Sequence, residues 1–410
     1  MLVSTNVSYN IFAKYIEQED IFNDKKTLSS SFIPQKISHR DAELNQMGSI
    51  LAPALKGYHP NNIFVYGTCG TGKTICTKFI ISHLQEIIKQ SGKSLRSVYI
   101  NCKMKKVADT EYRLFAQLLK EMGECVPDTG LPTDVLYRRF FERVDSKPST
   151  LIIILDEIDA LVKKVGDDFL YNLTRINQEL KRSHITIIGI TNDLSFRDNL
   201  DLRVKSSLSE EEILFKPYNA VQLRDILMER ADGGFRPGVV SDTVLGKCAA
   251  LAAQEHGDAR RALDLLRVAG ELAERAGEPS IAENHIDMAQ QKLDMDRVTE
   301  TVRSQPSQSQ AVLYSIIKCQ EKADNQKTWA DKRLLTGDVF DNYLAVCKAG
   351  GMKPLTQRRV SDLIGELDML GIITAKVISK GRYGRTRDIS LAVKEEPLAK
   401  IKTLLQERFG

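Results

Sequence analysis

Between Asn62 and Asn192, short runs of consecutive apolar, often β-branched residues alternate with longer stretches of helical periodicity. NIFVY (Asn62–Tyr66), SVYIN (Ser97–Asn101), LIIIL (Leu151–Leu155) and ITIIGI (Ile185–Ile190) read as four strands. Most show no in–out alternation, which marks strands covered on both faces. Strands of that kind, spaced by helices, assemble into a parallel sheet. Beyond Pro217 the β pattern stops. Helices are expected over Ala220–Asp232, Ser241–Glu255, Asp258–Ala276 and Ala282–Leu293. The polar, proline-containing SQPSQSQ (Ser304–Gln310) reads as a linker. The first 30 residues are polar and read as a loose arm.

The last block has another rhythm. Helices are expected at Ala311–Cys319, Asp338–Ala349 and Thr356–Leu370, then β segments at Ile372–Ile378 and Asp388–Val393. Between the two β segments lies SKGRYGRTR (Ser379–Arg387), a turn with two glycines and three arginines. Three helices followed by a basic hairpin is the order of a winged helix-turn-helix domain. In Thr356–Leu370, residues Val360, Leu363, Ile364, Leu367 and Leu370 share one face, expected to turn to the core. Gln357, Arg358 and Arg359 lie near the N-terminal end and off that face, where a recognition helix meets base edges. Lys380, Arg382, Tyr383, Arg385 and Arg387 make the hairpin a candidate for phosphate or minor-groove contact. A winged helix used for protein contact is the alternative.

Composition narrows the class. With 410 residues, 42% hydrophobic and 27% charged, the chain is neither a disordered chain nor a rod. No run approaches a membrane span, and MLVSTNVSYN lacks the basic-then-apolar order of a secretion signal. Seven scattered cysteines without a CxxC pair suggest reduced thiols in a cytosol and argue against a structural metal site. The net charge of +4 conceals an asymmetry. Residues 301–410 carry 19 Lys and Arg against 12 Asp and Glu, leaving 39 basic and 42 acidic residues in the first 300. The positive charge sits where the winged helix is expected, which favours nucleic-acid contact there, a lysine-rich solvated surface being the alternative.

The chemistry lies at the strand ends. Gly67-Thr68-Cys69-Gly70-Thr71-Gly72-Lys73-Thr74 fits G-x-x-x-x-G-K-[ST], follows a strand and opens a helix. Glycines let backbone amides wrap phosphates, and the helix N-terminus adds oriented N–H groups. Lys73 is placed to reach the β- and γ-phosphates of ATP, and Thr74 to bind Mg²⁺. LIIILDEID supplies the acidic partners: Asp156 to hold Mg²⁺ through water, Glu157 to polarise an attacking water. Asn192, after the fourth strand, is a candidate for orienting that water or else an ordinary turn residue. Arg203 and Arg260 are lone arginines, ordinarily surface residues, and become candidate γ-phosphate contacts only through the resemblance that follows.

FIPQKISHRDAEL, YGTCGTGKT, LDEIDAL, GITND, RVKSSL, GDARRALDLLRVA and PLTQRRVSDLIGELDMLGII together resemble the archaeal origin-recognition initiators. These are relatives of the largest eukaryotic origin-recognition subunit and of the cell-division-cycle-six loader, AAA+ ATPases with a C-terminal winged helix. The resemblance runs from about Phe32 to the C-terminus, with Asp41 where the family's HRE-type motif has Glu. Only about 30 residues precede it, which favours the archaeal form over the long-tailed eukaryotic one. The resemblance implies that Ile33, Pro34 and Tyr218 flank the nucleotide, ATP or ADP. It implies that Asn192 is sensor 1, Arg260 the sensor 2 arginine of the lid, and Arg203 an arginine finger offered to a neighbouring subunit. Met122–Phe140 resembles the initiator-specific insertion, so Gly130, Leu131, Pro132 and Thr133 are candidate DNA contacts.

The expected architecture is an α/β AAA+ P-loop core with a parallel sheet, an all-α lid and a C-terminal winged helix-turn-helix domain. The expected boundaries are 1–30 for the arm, 31–216 for the core, 217–303 for the lid and 304–410 for the winged helix. The expected activity is slow ATP hydrolysis serving as a nucleotide switch in replication initiation. Expected partners are double-stranded origin DNA, paralogous initiator subunits or a second copy of the chain, and the replicative MCM helicase. No membrane is involved, and the expected location is cytoplasmic and nucleoid-associated. A nucleotide-dependent transcription regulator or a mobile-element ATPase would use the same two modules, and a paralogue acting only in assembly would bind DNA weakly.

Overall fold

The computed structural model describes residues 20–91, 94–104, 109–127, 130–208, 210–325, 333–379, 385–393 and 395–409. The chain divides into two compact units, Met1–Ile286 and Asp287–Gly410. No helix among the described residues is long and apolar enough to cross a membrane.

The first unit is built on five parallel strands, β1 (Asn62–Tyr66), β2 (Leu95–Asn101), β3 (Thr150–Asp156), β4 (His184–Thr191) and β5 (Glu210–Leu214), in the order β2-β3-β4-β1-β5. Every residue of β1 and β3 is buried, because their alternate side chains serve two different cores. Ile63, Val65, Ile152, Ile154, Ile188 and Ile190 pack under helix Lys73–Gln90. Phe64, Leu151, Ile153 and Leu155 join the core of Phe115, Phe140 and Phe169 on the other face. Such two-sided burial explains the unbroken apolar runs. The register pairs Asn101 with Asp156, Asp156 with Ile190, and Tyr66 with Thr191, so the carboxyl ends form one rim. Ligands bind at that rim in open parallel sheets.

Two sequence expectations fail here. β5 is absent from the four-strand reading because EEEIL offers three glutamates, which are poor strand formers. It forms at the sheet edge, where only Ile213 is buried and Arg197 pairs with both Glu210 and Glu212 at 3.0 Å. An edge strand tolerates such charge, which also blocks pairing with another chain. The loose arm of 1–30 does not hold beyond residue 19, and residues 1–19 lie outside the described set. Ile21, Phe22 and Leu28 are buried, and the Phe22 ring stacks on Phe235 with centroids 4.8 Å apart. Asp24 caps a short 3-10 turn, Lys25–Leu28. Three apolar side chains thus dock an otherwise polar segment on the lid.

The lid comprises helices Ala220–Gly234, Asp242–Gln254 and Ala259–Ala276 and the start of Glu283–Ser304. Asn219, Ser241 and Asp258 supply the N-cap hydrogen bonds. The division between the units falls within Glu283–Ser304, whose Val302 lies in the core of the second unit. SQPSQSQ is therefore not an extended linker. Helix Ser307–Asn325 starts inside it, and the buried Gln310 amide donates to the carbonyls of Val302 and Arg303 at 2.9 and 3.0 Å. The polar residues read as linker are the hydrogen-bonding joint of two successive helices.

The second unit contains helices Ser307–Asn325, Thr336–Ala349 and Gln357–Met369, then the antiparallel sheet β6 (Leu334–Leu335), β7 (Ile373–Ser379) and β8 (Arg385–Leu391) in the order β6-β8-β7. A last helix, Glu395–Phe409, buries Ile401, Leu405 and Phe409 in the same core. Val360, Leu363, Ile364 and Leu367 face that core. Leu370 does not: the helix ends at Met369 and Leu370, its C-cap, is 44% exposed.

Candidate functional site

At the carboxyl rim, Gly67–Thr74 links β1 to helix Lys73–Gln90. Gly67, Gly70 and Gly72 have φ of 152°, 72° and 92°, a region that favours glycine. Space is as restrictive as conformation. A Cβ on Gly70 would stand 1.7 Å from Asp258 Oδ1, and one on Gly67 would stand 2.5 Å from the Phe215 carbonyl oxygen. The loop is thus pressed against the start of the lid, where Ala259 N–H donates to the Gly70 carbonyl at 3.2 Å.

Lys73 is buried, and its ammonium donates to the carbonyls of Gly67 (2.8 Å) and Thr68 (2.7 Å) and to Asn192 Oδ1 (2.8 Å). Burial pulls its pKa down to about 8, partly countered by the neighbouring Cys69. Thr74 Oγ1 donates to Asp156 Oδ2 at 2.9 Å. That oxygen also accepts from the Tyr99 hydroxyl at 2.6 Å, while Asp156 Oδ1 accepts from Glu157 N–H at 3.0 Å. Glu157 sits at φ 54°, left-handed for a residue with a side chain, and its carboxylate lies 3.5 Å from Lys103 Nζ. Strained backbone of this kind concentrates at functional sites.

From the lid, Asp258 caps helix Ala259–Ala276, and the Arg260 guanidinium reaches Cys69 Sγ at 3.7 Å. Tyr218 is buried behind the loop, with its ring 4.0 Å below the Arg40 guanidinium. Arg40 in turn donates to the Lys216 carbonyl at 2.6 Å and to Glu43 at 2.7 Å. Burial raises the Tyr218 pKa. These groups surround a cleft of about 340 Å³, whose apolar wall includes Ile33, Pro34, Ile226 and Leu263.

The donor set fits a nucleoside triphosphate with Mg²⁺. Helix-start amides and Lys73 suit phosphate oxygens, a hydroxyl and a carboxylate stand side by side for a hydrated cation, and an apolar wall suits a base. Of the residues singled out in the sequence, Ile33, Pro34, Gly70, Thr71, Gly72, Lys73, Thr74, Asp156, Glu157, Asn192, Tyr218 and Arg260 all line this cleft. Gly67, Thr68 and Cys69 touch it through Lys73 and Arg260. Arg203 does not line it. It is exposed, and its guanidinium is held 3.1 Å from Asp201 of its own segment.

Four residues that the sequence reading passed over shape the cleft: Tyr99, Arg40, Asp258 and Arg230. Tyr99 carried a signal, since strand alternation sets it two residues before Asn101 at the carboxyl end of β2. Arg230, buried on the lid helix, donates to the carbonyls of Thr27 and Phe32 at 3.0 and 3.1 Å and so fixes the segment that leads to Ile33. Nothing local in the sequence pairs residues 200 positions apart.

The insertion candidates Gly130–Thr133 lie between helices Glu111–Glu121 and Thr133–Val144, which pack through Phe115 against Tyr137 and Phe140. Gly130, Pro132 and Thr133 are exposed, whereas Leu131 packs partly on the core. In the second unit, Gln357, Arg358 and Arg387 line a groove with Thr336, Ser361, Val377 and Thr386. Arg359 stands off it, 3.3 Å from Glu366 on its own helix. Arg387 is not a free wing cation: its guanidinium donates to the Ser361 carbonyl at 2.9 Å, lying over Gly365. Lys380, Arg382 and Tyr383 lie outside the described residues, as does the side chain of Arg385.

Comparison with known proteins is consistent along the chain. Residues 56–197 match the AAA domain model, 224–291 the Cdc6 AAA+ ATPase-type lid domain and 300–400 the CDC6 C-terminal winged helix domain. The ORC1-type DNA replication protein of Thermococcus onnurineus is 49% identical over 94% of this chain and 91% of its own length. ORC1-type DNA replication protein 1 of Methanosarcina mazei is 48% identical over 95% and 92%. The structure of the Aeropyrum pernix ORC1 protein in complex with DNA superposes with a TM-score of 0.82 at 41% identity, covering 96% of this chain and 98% of that one.

Proposed function

The chain belongs to the family of ORC1-type DNA replication proteins, and on that premise we propose that it is an ATP-dependent replication initiator. It binds origin duplex through its winged helix and through the insertion around Gly130–Thr133. The reading rests chiefly on one observation: Lys73, the Thr74–Asp156 pair, Glu157, Asn192 and the lid's Arg260 converge on a single cleft in a chain that ends in a winged helix.

In this reading Lys73 exchanges its two carbonyl partners for β- and γ-phosphate oxygens, and Asn192 keeps its ammonium aimed there. Thr74 and Asp156 would hold Mg²⁺, which would supply charge neutralisation to the phosphates. Glu157 would accept a proton from the attacking water, and Asn192, on the lining of the same cleft, would orient it. Arg260 carries the γ-phosphate state to the lid, because its helix begins against Gly70. Ile33, Pro34 and Tyr218 flank the base side. Arg203, exposed on its own segment, is available to a neighbouring subunit's nucleotide, whether paralogue or second copy. Turnover is slow and acts as a switch, and the ATP-bound form loads the replicative MCM helicase. The protein works at the nucleoid.

Gln357 and Arg358 contact base edges, and the basic residues Lys380, Arg382 and Arg385 contact the phosphate backbone. The test is anisotropy of labelled origin duplex with ATP, with ADP and without nucleotide. Tighter or more specific binding with one nucleotide than with the other supports the switch. Identical DNA binding in all three conditions contradicts it.

A further inference from the structure

Asp156 is held from outside the P-loop by a residue that the Walker motifs do not include. Tyr99 stands on β2, beside β3, two residues before Asn101, which pairs with Asp156 in the register. Its hydroxyl donates to Asp156 Oδ2 at 2.6 Å, the oxygen that also accepts from Thr74 Oγ1 at 2.9 Å. The third donor, Glu157 N–H, takes Oδ1 at 3.0 Å. The ring is held in turn: Lys78 Nζ lies 3.9 Å from its centroid, and Lys78 is one helical turn after Thr74, on the same face of helix Lys73–Gln90. Thr74, Asp156, Tyr99 and Lys78 therefore form a closed circuit across two strands and the P-loop helix. Asp156 is largely buried but lines the cleft, so a cation and its waters approach it from that side alone.

The second donor on Oδ2 adds to the restraint on rotation about the Cβ–Cγ bond and narrows the lone pairs left for a cation's water ligands. The geometry points to Tyr99 as a positioning residue that sets Asp156 for the nucleotide-bound divalent cation. This role rests on the nucleotide reading above. It differs from ring packing in what it predicts, because Phe keeps the ring under Lys78 and removes only the donor.

The test is binding of a fluorescent ATP analogue to the full chain, titrated with Mg²⁺ and repeated in EDTA. For Tyr99→Phe, the half-saturating Mg²⁺ concentration should rise roughly 10- to 100-fold, as for other groups that orient metal-binding side chains. Affinity in EDTA should stay at the wild-type value. In an Asp156→Asn background, Tyr99→Phe should add nothing further, since the two changes act on one interaction. An unchanged Mg²⁺ requirement would overturn the role, as would equal loss with Mg²⁺ and in EDTA. Additive effects in the double variant would overturn it too. A wild-type chain that bound no nucleotide would remove the site itself, and is told apart by the wild-type titration alone.

Discussion

At the scale of the residue, the cleft separates binding from turnover. Lys73 makes three hydrogen bonds in a buried setting, and in the proposed function two of them give way to phosphate oxygens. Lys73→Ala should abolish nucleotide binding, measured by fluorescence titration. Glu157 makes no contact with the P-loop that binding would need, and Glu157→Gln should retain ATP while turnover falls by at least about 100-fold, the scale of a lost general base. Normal hydrolysis by Glu157→Gln would mean that another group activates water. Much of this was legible because a P-loop is local: eight consecutive residues carry both the conformation and the chemistry. Arg230 was not, since it acts on residues brought near only by the lid, and Tyr99 showed only through the strand alternation that sets it before Asn101. Arg387 has a second engagement that its place in a basic turn did not reveal: its guanidinium donates to the Ser361 carbonyl and lies over Gly365 on helix Gln357–Met369.

At the scale of the element, joints decide more than propensities. Gln310 caps the end of helix Glu283–Ser304 and accepts from Arg408 Nη1 at 2.5 Å, tying the first and last helices of the winged-helix unit. Gln310→Ala leaves these buried carbonyls and a guanidinium short of partners. It should destabilise that unit by about 1–3 kcal/mol, read from its amide exchange in the full chain. The same polarity disguised the segment as a linker, because a hydrogen-bonding helix joint and a solvated linker have the same composition. β5 was hidden for a related reason: edge position and paired charges override the low strand propensity of glutamate. The long helices and central strands were legible because their apolar periodicity is dense enough to outweigh local chemistry. Within the winged helix, Arg358→Ala should change preference among duplex sequences by roughly 1–3 kcal/mol if it reaches a base edge. Arg387→Ala should instead lower stability and weaken all duplexes alike, which competition binding against unrelated sequences distinguishes.

At the scale of the whole molecule, two arginines should act on different nucleotides. Arg260 lines its own cleft and Arg203 does not. Arg260→Ala should weaken ATP binding by the monomer, whereas Arg203→Ala should leave that affinity intact and remove ATP-dependent association or its stimulated hydrolysis. Equal losses of monomer affinity would argue against action in trans. A second DNA contact has a similar signature. Arg138 and Arg139 are exposed on the helix that follows Gly130–Thr133, and replacing both by Ala should shorten the footprint of the full chain without altering nucleotide binding. The excess positive charge of residues 301–410 should make binding fall steeply with salt, because phosphate contacts release counterions. In the cell, the proposed ATP-gated DNA binding should mark replication origins. Its most direct test is genome-wide mapping of sites bound by the wild type and by Glu157→Gln, set against mapped replication start points in the same cells. Coincidence of the strongest sites with start points, sharpened in the variant that retains ATP, is the expected result. Bound sites that cluster at promoters or mobile elements away from every start point would contradict it.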